Sequence, residues 1–325
     1  MKLSTEQIRK IAIGVAYVEE SDGKIELHRF TKEQHEAYKT RSDDFYQKTF
    51  ATAGIRLEFV TDSQTLFLET EVYSGSSRKF FSHAIYVNGE FIGELAAQTN
   101  VGTFSDSFSL GEGEKTVTIY FPWTASSKII EFSLDDGAKL EPVQKSIKMI
   151  QFGDSITHGY DAKAPAASYA SIVADALDAY AINKGIGGEI FFPELASLPD
   201  NITPDIITVA YGTNDWSRGD LERFHQNSRE FYKNLSSLYP NAKIFALAPI
   251  WRSNYDKENR MCDFSHISEH FRAIAKDIPN MYVIDCFNFV PHDPAYFSPD
   301  CLHPNDEGFS YYAEGVLEEI TKHLA

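Results

Sequence analysis

Up to about residue 145 the apolar positions fall in short runs rich in β-branched and aromatic residues: Ile55 to Val60, Thr65 to Val72, Ser82 to Val87 and Thr116 to Phe121. Runs of this length, punctuated by Gly, Asn and Asp, predict strands. Asp22-Gly23, Asn88-Gly89 and Asp136-Gly137 are hairpin-type turn pairs, and Asn88-Gly89 sits between Ile85-Tyr86-Val87 and Phe91-Ile92 as a two-residue loop would. Residues 1–145 are therefore expected to form an antiparallel β-sandwich.

From about residue 146 the rhythm changes. Short apolar segments at 147–152, 180–183, 205–211, 243–248 and 281–285 alternate with longer amphipathic stretches at 167–179, 220–238, 263–277 and 306–323. Strand and helix in turn predict a parallel sheet covered on both faces, a three-layer α/β domain over residues 146–325, with 139–146 as a short linker. Pro249, Pro291 and Pro304 fall at boundaries of this scheme, and Pro304 is expected to open the last helix.

The length of 325 residues agrees with about two domains, and 43% apolar residues suffice for ordinary cores. Thirty Lys and Arg against 47 Asp and Glu give a net charge of −17, which opposes binding to phosphate backbones or anionic membranes. Neither nucleic acid nor membrane is an expected partner. Cys262, Cys286 and Cys301 form an odd set without CxxC spacing, which argues for packing thiols in a reducing compartment. The apolar stretch Ile11 to Val18 is flanked by Glu6, Glu19 and Glu20 and lacks a small-residue cleavage site, so it does not read as a signal peptide. No run reaches the ~18 residues that a membrane span requires. A soluble, cytoplasmic protein is the expectation, with homo-oligomerisation left open.

The candidate chemistry lies where the predicted strands end, the place at which open α/β sheets gather ligands. Ser155 in Gly153-Asp154-Ser155-Ile156 follows the first strand, Gly187-Gly188 the second and Gly212-Thr213-Asn214-Asp215 the third. Trp251-Arg252 follows the fourth, and Asp300 and His303 follow the last. A serine hydroxyl attacks an acyl carbon only when a base removes its proton, which an imidazole oriented by a carboxylate does. Asp300 and His303, three residues apart, can supply both from one turn. The oxyanion then needs donors, and the N–H groups of Ser155 and Gly188 and the amide of Asn214 are suitable in type. Asp154 reads as a turn-fixing residue. This chemistry calls for no cofactor and no metal.

In this order, Gly153-Asp154-Ser155-Ile156, Asn183-Lys184-Gly185-Ile186-Gly187-Gly188, Gly212-Thr213-Asn214-Asp215 and Asp300-Cys301-Leu302-His303 resemble the four blocks of the SGNH (GDSL-type) hydrolase family. The resemblance implies Ser155 as nucleophile, His303 as base, Asp300 as its orienter, and Ser155, Gly188 and Asn214 as the oxyanion hole. The doubled glycine leaves Gly187 and Gly188 interchangeable as donor. The β-rich half resembles the jelly-roll domain that precedes the hydrolase in two-domain members such as family 2 carbohydrate esterases and some GDSL acyltransferases.

The resulting expectation is a serine esterase acting on short-chain, acetyl-type esters of a carbohydrate or related polyol, with a small-molecule or oligosaccharide ester as partner. Trp216 and Trp251 are candidates for stacking on the substrate and Arg252 for hydrogen bonding to it, with Tyr160 and Phe191 behind them. The alternatives are an acyltransferase using the same acyl-enzyme, a thioesterase or lipid esterase, and a noncatalytic glycan-binding protein. His266-Ile267-Ser268-Glu269-His270 also fits an H-x-x-E-H zinc pattern. The glycines at 185, 187 and 188 fail the dinucleotide fingerprint, and Thr157 breaks G-x-S-x-G.

Overall fold

The computed structural model describes residues 1–259 and 261–324. In the second half, Ile147–Gly153, Ala179–Gly185, Ile206–Ala210, Lys243–Leu247 and Met281–Ile284 form one sheet. Its order is Ala179–Gly185, Ile147–Gly153, Ile206–Ala210, Lys243–Leu247, Met281–Ile284, and every neighbouring pair is parallel. Alternate side chains feed two cores. Ile150, Phe152, Ile207, Val209, Ile244 and Ala246 meet Phe231 and Phe271 of the helices Leu221–Leu238 and Ile267–Ala275. Met149, Ile206, Phe245 and Leu247 meet Val173 and Tyr312 of Tyr169–Ala176 and Asp306–Thr321. The result is an α/β/α domain of three layers. The chain leaves Ile147–Gly153 toward a neighbour on each side, which opens a crevice at that strand's carboxyl end.

The first half is built of two antiparallel sheets. One contains Ala12–Ile13, Arg56–Thr61, Lys115–Tyr120, Phe81–Val87 and Glu90–Ala97, and the other Tyr17–Ser21, Lys24–His28, Ala125–Leu134, Thr65–Ser74 and Gly102–Ser109. Leu57, Phe59, Ile85, Val117 and Ile119 of the first share a core with Leu66, Leu68, Val72, Ile129 and Phe132 of the second. Asp22-Gly23 and Asn88-Gly89 make hairpin turns, with all four residues at positive φ. Asp136-Gly137 is a turn of another kind, since it carries the chain from Ala125–Leu134 to Glu141–Pro142 in the opposite sheet.

The segment 139–146 is tied down rather than free. Glu141–Pro142 pairs with Arg56–Thr61, and Lys145 Nζ donates to Glu58 and Asp178 at 2.8 Å each. Pro304 does not open the last helix: that helix is Asp306–Thr321, capped by the Asn305 side chain on the Gly308 N–H. No described helix is long and apolar enough to cross a membrane.

Three helices interrupt the β-rich half, and the hydrophobic runs did not announce them: Thr5–Ile11, Lys32–Arg41 and Asp43–Thr49. The first two begin with reciprocal capping boxes, Ser4 with Gln7 and Thr31 with Gln34. The last two form a helical insert that leaves the sandwich. Phe30 and Tyr38 belong to the core beneath the parallel sheet, not to the sandwich core.

Candidate active site

The strand Ile147–Gly153 ends in a turn that only glycine permits. A Cβ at Gly153 would lie 2.0 Å from Thr157 Oγ1, and one at Gly185 on the neighbouring strand 2.3 Å from the His158 nitrogen. With those side chains missing, the single helical turn Ser155–His158 sits directly on the strand ends. Asp154 caps it, accepting from the Ile156 N–H at 3.0 Å. Asn183 Nδ2 holds the Thr157 carbonyl at 2.7 Å, and Tyr169 Oη meets Thr157 Oγ1 at 2.7 Å. Ser155 is thereby presented on a rigid turn at the crevice.

His303 Nε2 lies 2.7 Å from Ser155 Oγ, and His303 Nδ1 lies 2.5 Å from Asp300 Oδ2. Asp300 Oδ1 accepts from the N–H groups of Leu302 and His303 at 2.9 and 3.0 Å. Burial pushes the Asp300 carboxyl up, but the hydrogen bonds from the His303 ring and backbone outweigh it and hold it well below the usual carboxylate range. Asp300 thus stays ionised and orients the imidazole with Nε2 toward the serine. The arrangement can carry a proton from Oγ to His303 as Oγ attacks an acyl carbon.

Beyond the second strand, Ile186 to Glu189 form a turn closed by the Glu189 N–H on the Ile186 carbonyl at 3.0 Å. Gly188 sits in it at φ +87°. A Cβ at Gly187 would strike Tyr160 Oη at 2.5 Å, whereas one at Gly188 would meet only Phe45, at 3.7 Å. The N–H groups of Ser155 and Gly188 donate to no protein acceptor among the described residues. Asn214 Nδ2 donates to the Glu189 carbonyl at 3.0 Å, which orients the amide and leaves its second hydrogen for a ligand.

Comparison with known proteins bears on the second half of the chain. The model of the GDSL-like Lipase/Acylhydrolase family matches residues 152–310, which span the turn of Ser155, the turn of Gly188, Asn214, Asp300 and His303. Residues 152–310 match a GDSL-like acylhydrolase domain. An arylesterase of Vibrio mimicus is 28% identical over 198 residues, 56% of this chain and 92% of the arylesterase. With the family match, this relative places the acylhydrolase among ester-hydrolysing enzymes. The salicylyl-acyltransferase SsfX3 from a tetracycline biosynthetic pathway shares the fold with a TM-score of 0.83 at 21% identity, over 96% of this chain and 94% of that one. A family two carbohydrate esterase from Clostridium thermocellum does so with a TM-score of 0.67 at 18% identity, over 84% and 94%.

The acylhydrolase departs from the expected substrate contacts. Trp216 is 2% exposed; its Nε1 donates to the Cys262 carbonyl at 2.8 Å and Phe264 packs edge-on against it. Trp251 is 7% exposed, stacked on His292 and packed on Phe297. Neither indole offers a free face, because both complete cores. Arg252 is half-buried and donates to the Thr213 carbonyl and hydroxyl at 3.2 Å and to Ser217 Oγ at 2.8 Å, so it braces the turn before Asn214. Phe191 is core, in edge contact with Tyr211 and Phe231. Tyr160 lies at the site itself, its ring 5.7 Å from that of His303.

The zinc pattern does not assemble. His266 is exposed beside Asp263, while His270 Nε2 is engaged by Ser228 Oγ at 2.8 Å and its ring stacks on His225. Asp161, Asp300 and His303 are close enough to share a cation, as are Glu19, Glu26 and His28. In the first group, however, Arg78 grips Asp161 at 2.7 Å through two nitrogens and Ser155 faces the Nε2 of His303. That is a satisfied protein network rather than an open ligand set.

Four cations that reach the acylhydrolase site come from the first half, and the strand-like rhythm there gave no sign of them. Arg29 is fully buried and donates to the carbonyls of Ala51 (2.6 Å), Lys48 (2.9 Å), Asn183 and Gly185 (both 2.8 Å). Burial lowers it to about 9, so it remains charged at neutral pH. Arg41 pairs with the buried Glu189 at 2.7 Å, Lys48 donates to the Gly187 carbonyl at 3.0 Å, and Arg78 holds Asp161. The signal for the helical insert was Thr31-Lys32-Glu33-Gln34, a capping box in sequence.

Proposed function

We propose that this protein is a serine esterase that hydrolyses short acyl esters, of acetyl size, from a carbohydrate or similar polyol. The observation that carries the reading is the continuous chain from Ser155 Oγ through His303 to Asp300, with spacings of 2.7 and 2.5 Å. Ser155 Oγ adds to the ester carbonyl while His303 Nε2 takes its proton. The tetrahedral oxyanion is met by the N–H groups of Ser155 and Gly188 and the amide of Asn214. His303 returns the proton to the leaving alkoxide, and a water, deprotonated by the same nitrogen, releases the acid from the acyl-serine.

One feature of shape supports the alcohol half of the substrate. Beside Asp300 lies an open groove of about 570 Å³ lined by Arg78, Phe80, Asp161, Lys163, Phe297 and Asn305, whose polar groups and two phenyl rings suit an alcohol with hydroxyls and an apolar face, as a sugar has. Turnover of acetyl to octanoyl p-nitrophenyl esters and of acetylated oligosaccharides tests the acyl and alcohol halves together. Ser155→Ala is expected to lower kcat by roughly 10⁶, and a preference for octanoyl over acetyl would overturn the short-acyl assignment.

The likeness to the salicylyl-acyltransferase, over nearly all of both chains, favours a second reading in which an acceptor alcohol replaces water. Product partition with added polyols separates the two, since transfer leaves a new ester and hydrolysis a free acid.

A further inference from the structure

The helical insert of the β-rich half reaches the peptide unit on which the esterase reading depends. Lys48 Nζ donates to the Gly187 carbonyl oxygen at 3.0 Å. In a trans peptide the C=O of one residue and the N–H of the next share a plane and point in opposite directions. The oxygen gripped by Lys48 therefore belongs to the same amide as the Gly188 N–H, and fixing one end aims the other. We propose that Lys48 is a positioning residue for the oxyanion hole, acting through the Gly187–Gly188 amide; this inference rests on the acyl-serine reading above.

Three observations carry it. The Lys48 side chain is only 15% exposed although its other partner, Asp44 at 2.5 Å, is a largely exposed carboxylate. An ammonium serving a surface pair alone would remain in water, so the carbonyl draws it in. Second, Arg29 fixes the reach of Lys48: its guanidinium joins the Lys48 and Ala51 carbonyls on one side to the Asn183 and Gly185 carbonyls, on the strand leading into the turn, on the other. Third, the two central residues of the turn, Gly187 and Gly188, carry no side chain and Gly188 has φ +87°, so the amide between them has no side chain of its own to fix its plane and gains an anchor from Lys48.

Two effects follow. A cation on the carbonyl oxygen polarises the amide, which makes its N–H a stronger donor. A fixed plane also spares reorganisation as negative charge develops on the substrate oxygen. The same contact separates the doubled glycines: the N–H opposed to the Lys48 contact is that of Gly188, while Gly187 packs against Tyr160. No bond is made or broken at Lys48.

The test uses the full chain, p-nitrophenyl acetate and phenylboronic acid as an oxyanion-forming inhibitor. Lys48→Met is expected to lower kcat about 10- to 30-fold, a part of the ~10²–10³ that loss of a whole oxyanion donor costs. KM should stay within about twofold, and boronate affinity should fall by a factor similar to that of kcat. Lys48→Arg, which keeps a charged donor, should recover most of both. Thermal melting reports folding, and if Lys48→Met does not fold, Lys48→Gln is judged by the same criteria. Wild-type kcat and boronate affinity in the folded variant, or equal losses in Lys48→Met and Lys48→Arg, overturn the inference. Failure of the esterase reading looks different: Ser155→Ala would then turn over ester as fast as the wild type.

Discussion

Arg78 and Asp161 form a two-pronged ion pair, both contacts 2.7 Å, across the boundary between the β-rich half and the acylhydrolase domain. Asp161 Oδ2 also lies 3.6 Å from His303 Nδ1, so a second carboxylate stands behind the base and Arg78 neutralises it. In Arg78→Ala that charge is uncovered and favours the imidazolium. Activity requires the neutral ring, so the acidic limb of the kcat/KM profile should move to higher pH by about 0.5–1 unit. A pH–rate comparison of variant and wild type checks this; coincident limbs would mean that solvent screens Asp161 from the base.

Asp300 binds the imidazole and two backbone N–H groups at once. Asp300→Asn keeps much of the loop geometry but replaces an acceptor with an amide that can hold the wrong tautomer. We expect kcat to fall on the order of 10³-fold or more with KM nearly unchanged. Steady-state kinetics decides the matter, and a loss below tenfold would assign Asp300 to holding the loop rather than the base.

Burial raises the Asp154 carboxyl to about 6. The folded chain then keeps a proton that the unfolded chain releases near pH 4, so its stability contribution is fully present below about pH 4 and is lost as the pH rises through about 6. Two units correspond to roughly 3 kcal/mol. Asp154→Asn retains an oxygen for the Ile156 N–H, so relative to wild type it should gain roughly 2–3 kcal/mol at pH 8 and nothing at pH 4. Denaturant titrations at the two pH values read the difference; an equal offset at both would mean that Asp154 ionises without penalty.

Replacing Arg29 with Met would strand four buried carbonyls, those of Lys48, Ala51, Asn183 and Gly185. Unfolding free energy should drop by about 3–5 kcal/mol. Equilibrium unfolding in urea measures this. A drop under about 1 kcal/mol would mean that water replaces the guanidinium without cost.

What could be read in the sequence follows physical lines. Segments predicted at 147–152 and 243–248 appear as Ile147–Gly153 and Lys243–Leu247, because strands buried on both faces announce themselves as mostly apolar runs. Ser155, Asp300 and His303 were legible because the chemistry demands those residue types at strand ends. The insert at Lys32–Arg41 and Asp43–Thr49 was not, since its first helix is largely polar and its partner is a surface more than a hundred residues away in the chain. Trp216 and Trp251 misled for a related reason: an aromatic beside a catalytic loop looks the same in sequence whether it faces substrate or closes a core.

The Arg29 contacts make the two halves poor candidates for independent exchange. The buried Lys184 ammonium is received by the Arg29 carbonyl at 2.6 Å, by Gln34 at 2.7 Å and by Asp200 at 2.5 Å, so two of its three acceptors lie in the β-rich half. A chain cut near residue 145 would leave that charge under-coordinated and the turn of Gly188 without a brace. The unit that evolution or an engineer can graft is therefore not the hydrolase alone but the hydrolase together with residues 29–51, whatever sandwich is built around them.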